Sequence, residues 1–170
     1  MKEILTACCT GHRPQGFPFI YGGSSKKYFA YLQLLRKIIL KAINEYGVTH
    51  FISGMAEGVD LDFAEIVLSL RRTYKTIRLE CAIPYSTQNC GFHWESYDRY
   101  IRILKLANEV NYITKDYQKG CCLKRDRYMV DKSDFVIAVY NGQQKGGTYY
   151  TINYAKQLKR PIEILNLNDI

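Results

Sequence analysis

Residues 53–60 read Ser-Gly-Met-Ala-Glu-Gly-Val-Asp and follow the short apolar run His50-Phe51-Ile52. A helical pattern begins near Val59, so Gly54 and Gly58 stand where a strand must turn sharply into a helix. A residue without Cβ permits positive φ and lets a ligand approach the backbone closely. The first N–H groups of the helix are unpaired and favour an anion. The stretch therefore predicts a strand-to-helix turn that binds a phosphate or carboxylate, although many such turns use glycine only for packing.

Strand and helix patterns alternate on both sides of this turn. Ser24 or Ser25 is the expected cap of the first helix, and Gly47 is its expected stop. The apolar pattern predicts one helix between that cap and Gly47, a second from Val59 and a third over 92–107. A further helical stretch runs through Val130, and a last helix precedes Pro161. Strands are predicted at 3–9, 48–52, 77–83, 109–113, 135–139 and 162–165.

This alternation predicts an α/β fold in which helices cover both faces of a mostly parallel sheet of about six strands. Right-handed crossovers place the strand-to-helix loops at one edge of the sheet. Ligands of such folds bind outside the carboxyl ends of the strands, where the strand order reverses. The loops after the first, second, fourth and fifth strands are therefore the candidate site.

The bulk composition limits the class of protein. A chain of 170 residues with 47% hydrophobic and 24% charged residues predicts one globular domain over residues 1–170. No apolar run reaches the roughly 20 residues of a membrane span, and the N-terminus lacks a signal-peptide pattern. We therefore expect a cytoplasmic protein without membrane contact.

The six cysteines include two adjacent pairs and no C-x-x-C spacing. Neighbouring residues on a strand point to opposite faces, so Cys8 and Cys9 cannot serve one metal ion. Reduced, mostly buried thiols are expected, with no bound metal and no cofactor.

The net charge of +8 favours anionic partners, although a solvated basic surface without a partner is the alternative. The cations are spread along the chain in short groups, which favours nucleotide-sized anions over polymeric nucleic acid.

The loop after the first strand contains Thr10-Gly-His-Arg-Pro14. Gly11 permits a tight turn, Arg13 can donate forked hydrogen bonds to a phosphate, and His12 can act as an acid, a base or a simple donor. The alternative is a surface turn with Arg13 in a salt bridge. Gly11 and Gly16 have P-loop spacing, but Phe17-Pro18 replaces the Lys-Ser/Thr of a Walker motif, and a Rossmann G-x-G-x-x-G is absent.

Two charged positions on the following helices have alternative roles. Asp60 can cap its helix or accept a hydrogen bond from a ribose hydroxyl. Arg127 and Asp131 are four residues apart and can pair on one helix face, which is as plausible as ligand binding. Arg125 lies on another side of that helix and is expected to be freer to bind a ligand.

The loop after the fifth strand ends in Gly146-Gly147-Thr148 at a predicted helix start. Two backbone N–H groups and a hydroxyl form a second expected anion site, to which Lys145 adds charge.

These loops resemble the YpsA-like branch of the SLOG superfamily, in order and over nearly the whole chain. The resemblance rests on Thr10–Pro14, Ser53–Asp60, Arg125–Asp131 and Lys145–Thr148. It implies a Rossmann-like fold, often a homodimer, with a pocket for a nucleotide or nucleotide-derived ligand. By position, the pocket would be lined by Gly11, Arg13, Ser53, Gly54, Gly58, Asp60, Gly146, Gly147 and Thr148. YpsA-like proteins are linked to cell division and stress responses in Gram-positive bacteria, and their biochemical activity is poorly defined.

The superfamily includes DNA-processing protein A and the LOG phosphoribohydrolases, and the chain departs from the latter. Their G-G-x-G-T loop is followed by a catalytic glutamate, whereas Gly146-Gly147-Thr148 is followed by neither a third glycine nor a glutamate. The resemblance therefore implies binding or sensing, with no assigned catalytic residue. The alternatives are a nucleoside-monophosphate N-glycosidase and a single-stranded nucleic-acid binder. In the leading hypothesis Gly146, Gly147, Thr148 and Arg13 hold the phosphates, Asp60 the ribose, and Tyr140 or Tyr85 the base.

Overall fold

The computed structural model describes residues 5–170, which have a three-layer α/β fold. Its strands are β1 (Leu5–Gly11), β2 (Val48–Ser53), β3 (Arg78–Ile83), β4 (Glu109–Tyr112), β5 (Phe135–Tyr140) and β6 (Ile162–Asn166). Its α-helices are α1 (Lys26–Asn44), α2 (Val59–Leu70), α3 (Trp94–Leu106), α4 (Cys121–Asp131) and α5 (Gly146–Gln157). Short 3-10 turns lie at Pro14–Gly16 and Leu167–Asp169. The predicted elements are all present; residues 3 and 4 of the first predicted strand lie outside the described range.

The six strands form one sheet in the order β4-β3-β2-β1-β5-β6, and every neighbouring pair is parallel. The predicted fold class is thereby confirmed. The chain builds outward from β1 to β4 and then crosses to the other side of β1 to form β5. The strand order therefore reverses between β1 and β5, where a crevice opens at the carboxyl ends of the strands.

The two faces of the sheet are covered unequally. Helices α1, α2 and α3 pack on one face in the larger core, through buried residues that include Tyr31, Phe63 and Ile103. Helices α4 and α5 cover the other face through Met129, Val130 and Ala155. Cys9 belongs to the first core and Cys8 to the second, as the alternation of a strand requires. All six cysteines are free thiols, and Cys8, Cys9, Cys81 and Cys121 are buried.

Local signals set the helix starts as expected. The Ser25 hydroxyl accepts a hydrogen bond from the N–H of Tyr28 at 3.3 Å and caps α1. Helix α2 begins directly after Gly58, whose φ of 93° only glycine adopts without strain. No helix within residues 5–170 has the length and apolar character needed to cross a bilayer.

Candidate functional site

A cavity of about 390 Å³ lies at the crevice between β1 and β5, where the strand order reverses. Four segments enclose it: the loop after β1, the start of α2, helix α4 as far as Met129, and the start of α5. Its lining comprises Cys9, Thr10, Gly11, His12, Arg13, Gln15, Gly16, Ala56, Asp60, Cys122, Leu123, Arg125, Asp126, Met129, Gly147 and Thr148. Such a volume accommodates a small organic ligand.

Most of the site residues expected from the sequence meet at this cavity. The structure brings Gly11, His12, Arg13, Asp60, Arg125, Gly147 and Thr148 together in its lining. The other four, Ser53, Gly54, Gly58 and Gly146, lie outside that lining. Three of these four, Ser53, Gly54 and Gly58, contact the residues that line the cavity and support them.

Residues 53–60 form that wall through their own backbone. The Ser53 hydroxyl donates to the carbonyl of Asp60 at 2.8 Å and accepts from the N–H of Met55 at 3.2 Å. The N–H of Val59 donates to the carbonyl of His12 at 3.2 Å, and a Cβ on Gly58 would lie only 2.5 Å from that carbonyl oxygen. Gly58 therefore allows the turn before α2 to dock on the loop after β1.

Gly54 serves close packing instead of an unusual backbone angle. Within residues 53–60 the positive φ angles are those of Met55 (59°) and Gly58 (93°), not that of Gly54. A Cβ on Gly54 would collide with the guanidinium of Arg125 and lie 2.8 Å from Oδ2 of Asp60. Gly54 thus leaves room for the charged side chains of the cavity.

Arg125, which the sequence suggested would be freer to bind a ligand, is buried and bonded to several groups of the chain. Its Nε donates to Oδ1 of Asp126 at 2.8 Å, and its Nη1 donates to the carbonyl of Gly54. Nη1 also lies 4.0 Å from Oδ2 of Asp60. Arg125 therefore fixes two carboxylates at the cavity, while its own charge is largely matched.

The anticipated pair of Arg127 with Asp131 is not formed. Arg127 donates to the hydroxyl of Tyr150, and Asp131 accepts from the hydroxyl of Tyr154 at 2.7 Å. Both aromatic partners lie on α5, so tertiary contacts replace the local pairing across one turn of α4.

Asp60 presents a carboxylate to the cavity. It is 7% exposed, and its Oδ2 accepts from the N–H of Ala56 at 3.2 Å. Gly58, not Asp60, occupies the N-cap position of α2. Within residues 5–170, Oδ1 of Asp60 accepts no hydrogen bond. Burial raises the pKa of Asp60 to about 6, and the nearby Arg125 guanidinium opposes that rise.

Asp126 is the principal residue that sequence reasoning missed. It is buried, its Oδ1 accepts from Arg125, and its Oδ2 would lie 3.6 Å from a Cβ placed on Gly147. A carboxylate therefore lies beside the start of α5. Its position next to Arg125 was the available signal, but adjacent residues on a helix do not face each other in the usual pairing pattern.

The loop after β3 also reaches this region, although the sequence directed attention to the other loops. Gln88 is buried, and its Nε2 donates to the carbonyl of Gly54 at 3.2 Å. The same carbonyl accepts from Arg125. Gln88 thereby ties the loop after β3 to the wall formed by residues 53–60.

His12 connects the loop after β1 to the loop after β5. Its ring stacks on Tyr140 with centroids 5.8 Å apart and an interplanar angle of 12°. Its Nε2 accepts from the N–H of Asn141 at 3.2 Å, so the proton of the neutral ring resides on Nδ1. Burial lowers the pKa of His12, which keeps the ring neutral at physiological pH. His12 is therefore a donor and a rigid aromatic surface at the cavity.

Three helices begin at the cavity without a capping side chain. Within residues 5–170, no side-chain hydrogen bond caps α2, α4 or α5; the same holds for α3, which starts away from the cavity, and Ser25 caps α1. Helix N-termini carry partial positive charge and free N–H groups. Arg13 and Lys145 add exposed cations, and neither side chain has a hydrogen-bonding or ionic partner in the described part of the chain. The helix starts and the exposed cations are therefore suited to an anion, whereas Asp60 and Asp126 are buried carboxylates of the same lining.

Comparison with known proteins gives matches over most of the chain. The YpsA family model, described as the YspA SLOG family, matches residues 7–170. The UPF0398 protein BH1768 of Halalkalibacterium halodurans is 32% identical over 127 residues, covering 72% of this chain and 67% of that protein. A UPF0398 protein of Bacillus thuringiensis (strain Al Hakam) is 30% identical over 120 residues, covering 69% of this chain and 65% of that protein. The matches thus span about two thirds of each relative's length.

Proposed function

This chain belongs to the YpsA family of SLOG proteins, and we propose that its cavity binds or senses a nucleotide or nucleotide-derived ligand. The observation that carries the proposal is the convergence of three uncapped helix starts, those of α2, α4 and α5, on one cavity. Helix N-termini that meet at one space are a recurrent phosphate site in α/β folds.

The phosphate lies at the start of α5 in this proposal. The N–H groups of Gly147 and Thr148 and the guanidinium of Arg13 line the same cavity, and Lys145 precedes them. Arg13 can donate two parallel hydrogen bonds to a phosphate. Gly146, with φ of 84° and open space around its Cα, lets the chain enter α5 at this point.

A ribose matches the two buried carboxylates. Arg125 lies near Oδ2 of Asp60 and bonds to Oδ1 of Asp126, which leaves Oδ1 of Asp60 and Oδ2 of Asp126 as acceptors for the two donors of a vicinal diol. The ring of Tyr140, already stacked on His12, offers a face for the base. Tyr85 is the alternative aromatic surface, and its ring packs edge-to-face with Tyr117 at a centroid distance of 5.3 Å.

Calorimetry and thermal-shift measurements with nucleoside monophosphates, ADP-ribose, NAD and cyclic nucleotides test the proposal. We expect micromolar binding of at least one phosphorylated ligand, with the matching nucleoside bound at least ~10-fold more weakly because the phosphate site contributes most of the charge-assisted hydrogen bonds. Arg13→Gln should remove that difference, whereas Lys156→Gln, on the exposed end of α5, should preserve it. If the folded protein binds none of these compounds, the proposal is wrong.

A second candidate function, N-glycosidic cleavage of a nucleoside monophosphate, is favoured by one observation. Asp60 and Asp126 flank the cavity, and the pKa of Asp60, at about 6, suits a group that donates a proton near neutral pH. Asp60 would protonate the leaving base while the Asp126 carboxylate stabilises positive charge on the sugar or activates water. Chromatography should then detect free base, and Asp60→Asn should abolish its release. Absence of base release from every common monophosphate would exclude this activity.

The resemblance also implies a homodimer and a role in cell division or stress response. Both are proposals for this chain. Sedimentation velocity with and without the best ligand of the panel tests the first, and a single monomeric species under both conditions would contradict it.

A further inference from the structure

A second, basic recess lies toward the end of α2, the helix whose start borders the cavity. It has a volume of about 850 Å³ and is formed by α1, α2, α3 and the turn after α2. We call it the basic groove, and its lining comprises Arg36, Glu65, Leu68, Ser69, Arg71, Arg72, Lys75, Arg102, Ile103 and Leu106. Five cations and one carboxylate thus surround one open recess.

The single carboxylate does not neutralise this surface. Glu65 already accepts from Arg99 at 2.9 Å and from Arg102 at 2.8 Å. Arg36 donates to the Ser69 hydroxyl and Arg71 to the carbonyl of Leu106, so both bind neutral oxygens. Their positive charges are held in place without being matched.

Arg72 and Lys75 are the least engaged cations of the groove. Both are exposed, and within residues 5–170 neither side chain makes a hydrogen bond or an ion pair. Arg71 and Arg72 offset the negative end of the α2 dipole, but that effect does not involve Arg36, Lys75 or Arg102. The excess charge along the groove is therefore available to an external anion.

The apolar part of the groove identifies the kind of anion. Leu68, Ile103 and Leu106 lie among the cations, and Leu106 is 49% exposed. No aromatic side chain of the described chain lines the groove, whereas single-stranded nucleic acid is typically bound by stacking its bases on aromatic rings. Aliphatic side chains rimmed by cations complement a peptide that carries both carboxylates and apolar residues.

We propose that the basic groove binds an acidic, amphipathic segment of a partner protein. Carboxylates of that segment pair with Arg72, Lys75 and Arg36, and its apolar side chains pack on Leu106 and Leu68. The proposal is independent of the ligand of the cavity, because the two sites share no lining residue.

Fluorescence anisotropy with labelled peptides of about 16 residues tests this proposal. One peptide carries glutamates with leucines at helical spacing, a matched peptide has serine in place of each leucine, and a third probe is oligothymidylate of similar length. We expect the Glu/Leu peptide to bind most tightly, the Glu/Ser peptide at least ~3-fold more weakly, and both affinities to fall with salt.

Paired charge-reversal variants separate the groove from net charge. Arg72→Glu with Lys75→Glu should lower the affinity for the Glu/Leu peptide at least ~10-fold. Lys26→Glu with Lys156→Glu is an equal charge change elsewhere on the surface and should change that affinity less than ~2-fold. Circular dichroism checks folding, and Arg72→Gln with Lys75→Gln replaces the first pair if it is unfolded. Equal losses in both variants, no peptide binding, or tighter binding of oligothymidylate than of the Glu/Leu peptide would overturn the proposal.

Discussion

Asp60 and Asp62 stand two residues apart in the first turn of α2, and both are buried, yet their surroundings differ. A separation of two residues rotates the side chain by about 200° around a helix, so the two carboxylates face different regions. Asp60 faces the cavity. Asp62 faces what we call the tyrosine cluster, formed by Tyr21, Tyr28, Tyr31 and Arg99.

The tyrosine cluster saturates its carboxylate. Oδ1 of Asp62 accepts from Tyr21 at 2.8 Å, from Tyr28 at 2.9 Å and from Arg99 at 2.6 Å, and Oδ2 accepts from Tyr31 at 3.1 Å. Asp60 accepts one backbone hydrogen bond and lies 4.0 Å from an arginine. Side chains of the protein therefore donate to both oxygens of Asp62, whereas Asp60 can still accept hydrogen bonds from the side of the cavity.

The direction of the pKa shift does not distinguish Asp60 from Asp62. Burial is the main cause that raises the pKa of both groups, and in each case an arginine opposes the rise. The count of hydrogen-bond donors distinguishes them. A buried group with unused acceptors costs stability and is kept where a ligand supplies the missing donors.

Asp62→Asn should produce the largest effect on stability. The amide has one acceptor oxygen where the carboxylate has two, and it carries no charge to pair with Arg99, so we expect a loss of about 3–5 kcal/mol in the free energy of unfolding. Urea denaturation at pH 7 measures this loss. Asp98→Asn on the exposed face of α3 is the matched control and should change stability by less than ~0.5 kcal/mol. Comparable, small effects of the two substitutions would remove the distinction between Asp62 and a surface carboxylate.

Asp60→Asn should have the opposite sign. The folded-state pKa of about 6 exceeds the ordinary value of 3.8, so ionisation of Asp60 destabilises the native protein above that pH. Two pK units correspond to about 3 kcal/mol, and loss of the attraction to Arg125 offsets part of this amount. We expect the variant to be about 1–2 kcal/mol more stable than the natural chain at pH 7.5 and to lose affinity for the ligand of the cavity.

The pH dependence of the same pair of proteins tests the cause. Between pH 3.8 and about 6 the folded state binds more protons at Asp60 than the unfolded state, so its stabilising contribution is complete below 3.8 and is lost as pH rises through about 6. The advantage of Asp60→Asn should therefore shrink as pH falls through this window. A pH-independent difference would assign the effect to packing instead of ionisation.

The contrast between these two aspartates also shows what the sequence could reveal. Apolar periodicity and glycine positions predicted the order of strands and helices, and the parallel sheet then required the loops to meet at one edge. That reasoning located Asp60, Arg13 and Thr148 at one site, because their positions depend on chain topology.

The remaining features depend on contacts between distant segments. Tyr21 and Arg99 meet at Asp62 although they are 78 residues apart, and no local pattern marks their pairing. Arg125 similarly bonds to Gly54 across 71 residues, so its apparent freedom on an isolated helix was misleading. Asp126 was missed for the same reason. Helical periodicity identifies the face of a residue, but its partners come from the packing of helices against the sheet.

A smaller effect is expected at the start of α5, where Lys145 occupies the N-cap position with φ of −156° and ψ of 162°. Aspartate suits this backbone conformation and can accept from the free N–H groups of the first turn. Lys145→Asp should therefore stabilise the protein by about 0.5–1 kcal/mol in urea denaturation. The new carboxylate occupies the same N–H groups that we assign to a phosphate, so affinity for a phosphorylated ligand should fall at least ~10-fold.

Lys145→Gln separates the cap from the loss of positive charge, because glutamine removes the charge and is a weaker cap. It should leave stability nearly unchanged and reduce ligand affinity only ~2- to 3-fold. If Lys145→Asp gains stability but keeps full affinity, the start of α5 does not hold the phosphate, and Arg13 with the starts of α2 and α4 would have to do so. If Lys145→Asp instead lowers both stability and affinity, the fold itself requires an uncapped start of α5. The start of α5 would then be a structural feature, like the carboxylate of Asp62.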